Sequence, residues 1–197
     1  SATAPAFALE DARSGYREGL RRGAAGEELY FRERAGAAEQ HLLLPAPAQV
    51  ADAGFDEFVR AHWQALAAGE ALPLRFTVPS RLRTMEFRVR QAGTLRIDGA
   101  PAQLFRLRLD GLLGFVAPHI DVAYDARDRR LLRFEGLGNL RDAHAREQLE
   151  VRIDFPAPAR PAAAGLWTAA WSEPLVASCE SGQAADSPAD RTPVAAR

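Results

Sequence analysis

Residues 72–109 alternate apolar and charged side chains too regularly for anything but extended chain. Between Thr84 and Gln91, Met85, Phe87 and Val89 are interleaved with Glu86, Arg88 and Arg90. Farther on, Phe105, Leu107 and Leu109 are interleaved with Arg106, Arg108 and Asp110. A period of two sends successive side chains to opposite faces, so each run predicts a strand with one dry and one wet face. Asp98-Gly99 lies between the runs. That dipeptide readily takes the positive φ of a tight hairpin turn.

The rest of the chain has to complete a core for these strands. At 197 residues it is long enough for one domain of ordinary size. The net charge of −1 gives no electrostatic footprint for nucleic acid or an anionic membrane. All 25 basic residues are arginine. A lone cysteine, Cys179, excludes an internal disulfide and a thiolate metal cluster. No apolar run approaches the ~18–20 residues of a membrane-spanning helix. No signal peptide is read at the start, and the chain begins at Ser1 rather than Met, as a mature or trimmed product would.

Taken in order, residues 1–6 read as a loose leader, and 7–20 as a strand and turn broken at Ser14-Gly15. Tyr30 and Phe31 mark a strand that pairs with one at 41–44 across Ala35-Gly36-Ala37. Pro45 and Pro47 end that pattern, and the period changes. Phe55, Phe58, Val59, Trp63 and Leu66 form one stripe of an amphipathic helix over about 52–67. Asp52 is its expected N-cap and Gly69 its expected C-terminal glycine. Strands resume at 72–78 and continue through 115–125, 129–135 and 148–155. In the last of them Leu149, Val151, Ile153 and Phe155 share a face.

This pattern predicts a mainly β (α+β) fold, a curled antiparallel sheet or incomplete β-barrel of about eight to ten strands with one packed amphipathic helix. The domain spans 1–156. Residues 157–177 read as a Pro/Ala spacer and a segment with Trp167 and Trp171, and 178–197 as a disordered tail.

No nucleophile elbow, phosphate loop, dinucleotide fingerprint or zinc motif occurs, so neither a cofactor nor a metal is expected. Two groups of residues stand out as a small-molecule site. Met85, Phe87, Phe105 and Leu107 would line the dry face, as core or as pocket. His119, Asp121, Tyr124, Asn139 and Arg141 concentrate polar chemistry near a barrel mouth, where a few such groups orient a ligand. His119 and Asp121, or His144, would serve an acid/base hydrolase or isomerase. The plainer expectation is that Asp121 and Asp125 pair with Arg129 or Arg130. The arginine rows (Arg75, Arg88, Arg90, Arg96, Arg106, Arg108, Arg152) share their face with Glu86, Asp98, Asp110, Glu150 and Asp154, and so predict a neutralised, solvated outer wall.

The segments IDVAYDARDRRLLRFEGLGNLRD (120–142) and VRIDFP (151–156) resemble a family of uncharacterised exported β-rich proteobacterial proteins. Those are domains of unknown function with lipocalin-like or lipoprotein-carrier-like curled sheets. The resemblance implies a periplasmic or exported location and carries over no active residue. Three functions follow as expectations: non-enzymatic binding of a small apolar ligand or an envelope protein; a hydrolase or isomerase at His119 and Asp121; or a structural assembly module.

Overall fold

The structure is a computed structural model that describes residues 2–111, 118–142, 147–158, 160–161, 163–166 and 168–169. His144, Trp167, Trp171, Cys179 and the tail from 178 fall outside these residues.

The central alternation folds as predicted. Strand β7 (Arg83–Ile97) pairs antiparallel with β8 (Ala100–Leu109), and the two residues between them, Asp98 and Gly99, have φ of 48° and 83°. Positive φ at both central positions is the twist-matched hairpin turn that Asp-Gly favours. Around this hairpin runs a seven-stranded, strongly curled half-barrel ordered β11-β10-β9-β8-β7-β6-β5. Its remaining members are β5 (Val50–Ala51), β6 (Leu72–Val78), β9 (Ile120–Asp125), β10 (Leu131–Arg141) and β11 (Gln148–Asp154).

The fold is therefore mainly β and curled, with three refinements. First, β1 (Phe7–Asp11), β2 (Tyr16–Gly23), β3 (Gly26–Arg32) and β4 (Gln40–Leu43) form a separate four-stranded antiparallel sheet. The described strands thus number eleven in two sheets rather than eight to ten in one. Second, β5 runs parallel to β6. The helical crossover between them is the connection a parallel pair requires.

Third, the single expected helix is two, α1 (Gly54–Ala61) and α2 (Trp63–Ala67), broken at His62. The His62 Nδ1 lies 2.9 Å from the Phe58 carbonyl, and its ring stacks on Phe58. Asp52 does not cap α1; it sits at φ 46°, and the capping residue is Ala53. The other end is as expected. Gly69, at φ 90°, donates to Leu66 O while Glu70 donates to Ala65 O, the paired bonds that close a helix on a left-handed glycine.

The predicted helical stripe lies in the concave face. Phe58, Val59, Trp63 and Leu66 are buried against Val50, Leu74, Val89, Phe105, Leu107, Val122 and Tyr124, with Phe55 packed at the margin. A smaller cluster of Ala4, Leu20, Leu29, Ala48 and Ala51 joins the four-stranded sheet to β5. This junction is tight at Gly54, where an added Cβ would lie 1.9 Å from the Thr3 carbonyl oxygen. That oxygen also accepts the Ala51 N–H at 3.1 Å. Gly54→Ala should therefore displace the N-terminal segment at about 1–2 kcal/mol. Thermal unfolding together with faster exchange of the Ala51 amide would register it, and an unchanged Ala51 exchange rate would refute it.

Candidate functional site

The curl of the sheet distributes the predicted site residues over three places. Phe105 and Leu107 occupy inward positions of β8 and are fully buried beneath α1 and α2. Trp63 meets Phe105 edge-on at 5.3 Å between ring centroids. Met85 and Phe87 lie toward the β6 side of β7, half-buried, with Phe87 against Phe76 at 5.8 Å. The upper wall of the expected pocket is thus packed against helical side chains, and its lower margin is partly open.

His119 and Asp121 lie on the other face of the sheet from Tyr124. The Asp121 carboxylate is held by both arms of Arg106, Nε to Oδ1 and Nη2 to Oδ2, each at 2.6 Å. Register explains the partner: β8 and β9 set Arg106 directly opposite Asp121, whereas Arg129 and Arg130 lie beyond the turn. The anticipated pairing of Asp121 with Arg129 or Arg130 does not form. Asp125 instead accepts the Arg127 N–H at 2.7 Å within the turn. His119 Nε2 stands 3.7 Å from Asp121 Oδ2. With both carboxylate oxygens engaged by a guanidinium fork, Asp121 is tied across the strands to Arg106, and His119 stands outside that pair.

Tyr124 points into the core with its hydroxyl toward Asp56 of α1; neither that hydroxyl nor Asp56 Oδ1 completes a hydrogen bond of normal geometry. Burial raises the phenol pKa well above its ordinary range, and the Asp56 charge adds to the rise. Burial likewise raises the Asp56 carboxyl, while Arg60, paired with it, opposes. Asn139 is exposed on β10.

The remaining residue, Arg141, reaches a cluster the sequence did not disclose. Its guanidinium lies 4.0 Å from the centroid of the Tyr16 ring. Two residues along β2, the buried Glu18 accepts the Ser80 N–H at 2.8 Å. Burial, chiefly, raises the Tyr16 and Glu18 pKa values; Arg141 and Ser80 act against the rise in both. Nearby, Arg13 forks onto Asp11 and donates to the Asp142 carbonyl at 3.0 Å. These contacts bind the four-stranded sheet to the far end of β10 and to the turn at 79–81. The available signal was an acid among inward positions: Tyr16, Glu18 and Leu20 alternate on one buried face.

No family model, curated protein or solved structure matches the chain. Among the described residues no three His, Cys, Asp or Glu side chains gather as metal ligands, and no helix is long and apolar enough to cross a membrane. A shallow, open depression beside α1 and α2 is lined by Arg60, His62, Trp63, Gln64, Glu70 and Arg129, with His62 Nδ1 2.9 Å from the Phe58 carbonyl. On the outer wall, Arg88 meets Asp110 at 2.9 Å and Arg106 meets Asp121, and these acids offset a register that sets Arg88 opposite Arg108 and Arg90 opposite Arg106.

What stands out is the edge strand. On β11 every residue except Val151 is exposed, including Leu149 at 42% and Ile153 at 41%. Phe155 follows at 38%. Ile153 sits opposite Phe134, which packs on the main core, so the exposed stripe continues the core-facing side of the sheet past its last strand.

Proposed function

We propose that this protein is a non-enzymatic assembly module that binds a protein partner along β11, the open edge of its half-barrel. The single observation that carries this reading is the exposed apolar alternation of Leu149 and Ile153 on a strand whose outer backbone has no sheet neighbour among the described residues. Unpaired edges usually carry charges, a bulge, a proline or a covering loop, because they template strand addition; β11 carries only the charges Glu150, Arg152 and Asp154 among its own residues. Here the edge is seven residues long and free of proline. An extended segment that adds there gains main-chain bonds from the edge and specificity from alternate side chains.

The rest of the molecule supports binding over catalysis. Asp121 is held by Arg106, and Phe105 and Leu107 are covered by α1 and α2. A small apolar guest on that wall would have to displace Trp63 and Leu66. An envelope location, implied by the resemblance alone, belongs to the same proposal.

The backbone direction gives a clean test. The Phe155 N–H donates to Leu132 O, so by alternation the N–H groups of Val151 and Ile153 turn toward β10, and those of Glu150, Arg152 and Asp154 turn outward. Proline at 152 removes an outward donor and leaves the β10 ladder intact. A photo-reactive residue at Leu149, in the full chain expressed in its own host, should yield a polypeptide adduct that Arg152→Pro abolishes. The same probe at Glu57 on α1 should yield none. Absence of an adduct at 149, or an adduct indifferent to Arg152→Pro, would overturn the proposal.

A further inference from the structure

We infer that the strand received at this edge is β11 of a second copy, joined antiparallel about a two-fold axis at Val151; the inference rests on the edge-binding reading above. The sequence of the strand is complementary to itself. Gln148–Asp154 has its midpoint at Val151, so pairing centred there overlaps the whole strand. In that register Glu150 faces Arg152 of the second copy, and Arg152 faces Glu150. Leu149 faces Ile153, and Gln148 faces Asp154.

The backbone selects the same register. Outward N–H and C=O groups belong to Glu150, Arg152 and Asp154. Antiparallel strands exchange bonds only where outward residues lie opposite outward residues. Centring on Val151 satisfies this by pairing Glu150 with Arg152. Sliding by one residue sets outward groups against inward ones and makes no ladder. Sliding by two sets Glu150 against Glu150, or Arg152 against Arg152, and like charges directly opposite are destabilising. Centring on Ile153 would pair Arg152 with Asp154 but bring Pro156, which lacks an N–H, opposite Glu150. Charge and hydrogen-bond parity therefore agree on one alignment.

The side chains are in place for it. Glu150 makes no ion pair or hydrogen bond among the described residues. Arg152 lies 3.0 Å from Asp154 and 3.8 Å from Glu135 with its side chain 53% exposed, so it can turn to a cross-strand acid without breaking a buried contact. Leu149, Val151 and Ile153 fall at the non-hydrogen-bonded positions, where antiparallel side chains approach most closely. The exposed stripe of one copy then meets that of the other. Two seven-stranded sheets become one sheet of fourteen with neither β11 edge open. An isologous contact closes, so it ends at a dimer and does not propagate.

Charge swaps test the register directly. Sedimentation of the full chain should show a concentration-dependent dimer. Glu150→Arg alone and Arg152→Glu alone each create two like-charge pairs across the axis and should weaken the dimer about tenfold or more. An equimolar mixture of the two variants should recover dimer, because every cross-strand pair in the heterodimer is again acid to base. The double variant Glu150→Arg/Arg152→Glu should dimerise as the parent does. A parent chain that stays monomeric, or a dimer that neither swap weakens, overturns the inference. If the chain is monomeric but the Leu149 adduct to another polypeptide persists and depends on Arg152, self-pairing falls and edge binding stands. If a dimer forms that neither swap weakens and that adduct is absent, edge binding falls as well.

Discussion

Trp63→Ala is expected to lose about 3–5 kcal/mol of stability, the range for deleting a buried aromatic side chain. Trp63 is only 8% exposed and closes the concave face from above. Its ring meets Phe105 at 5.3 Å and Tyr124 at 6.1 Å, both edge-on, and Arg129 stacks over it at 5.6 Å. Edge-on aromatic pairs contribute about 0.5–1.5 kcal/mol each beyond buried area. The surroundings cannot collapse easily, because Phe105 and Tyr124 are fixed on adjacent strands of a sheet. Urea unfolding should show a lower midpoint with an unchanged slope. The same variant separates a filled wall from a ligand pocket. Removing the indole leaves an apolar hollow above Phe105, which should bind a probe such as benzene that the parent excludes. A loss below about 1 kcal/mol, or equal benzene binding by both proteins, would mean that Trp63 does not close this face.

The parts of the fold that were legible in the sequence are those governed by short-range pattern. Met85 to Val89 and Phe105 to Leu109 alternate, Asp98-Gly99 turns, and the stripe from Phe55 to Leu66 is buried as its spacing requires. What escaped depends on contacts distant in the chain. Val50 and Ala51 make a strand too short to have a period, and only the neighbouring Phe76 and Thr77 define it. The division into two sheets follows from where the 44–54 connection leads, which no local pattern encodes. Asp52 has the right chemistry for a cap, but its backbone at φ 46° turns the chain into α1 instead. The candidate site fared similarly. Alternation placed His119 and Asp121 opposite Tyr124, yet it could not show that Arg106 holds Asp121. That pairing is set by the register of β8 on β9. Leu149 and Ile153 were legible as one face, but their exposure depends on β11 being the last strand of the sheet.

Glu18 is the other residue whose replacement should be costly, and its sign depends on the replacement. Glu18→Ala removes the acceptor for the Ser80 N–H and the charge facing Arg141 and Tyr16, and should cost about 2–4 kcal/mol at neutral pH. Glu18→Gln keeps an acceptor and removes only the charge. Burial raises the Glu18 pKa above its ordinary value of 4.5, with the Ser80 N–H, Tyr16 and Arg141 opposing but not cancelling the rise. Below 4.5 the folded and unfolded chains both hold this proton. Between 4.5 and the raised folded value the folded chain alone retains it, so stability falls as pH rises. Above that value both are ionised and the full penalty is present. The stability of Glu18→Gln minus that of the parent should therefore increase with pH just above 4.5 and then level off. Asp11, in the same corner, is lowered chiefly by its hydrogen bond from Arg13, so its contribution is lost as pH falls below its ordinary 3.8 and leaves the Glu18 window clear. Urea midpoints of the two proteins from acid to neutral pH would measure the difference. A flat or declining curve would show that Arg141 and Ser80 stabilise the charged carboxylate more than burial opposes it, and that the junction between the two sheets is held by an ion pair.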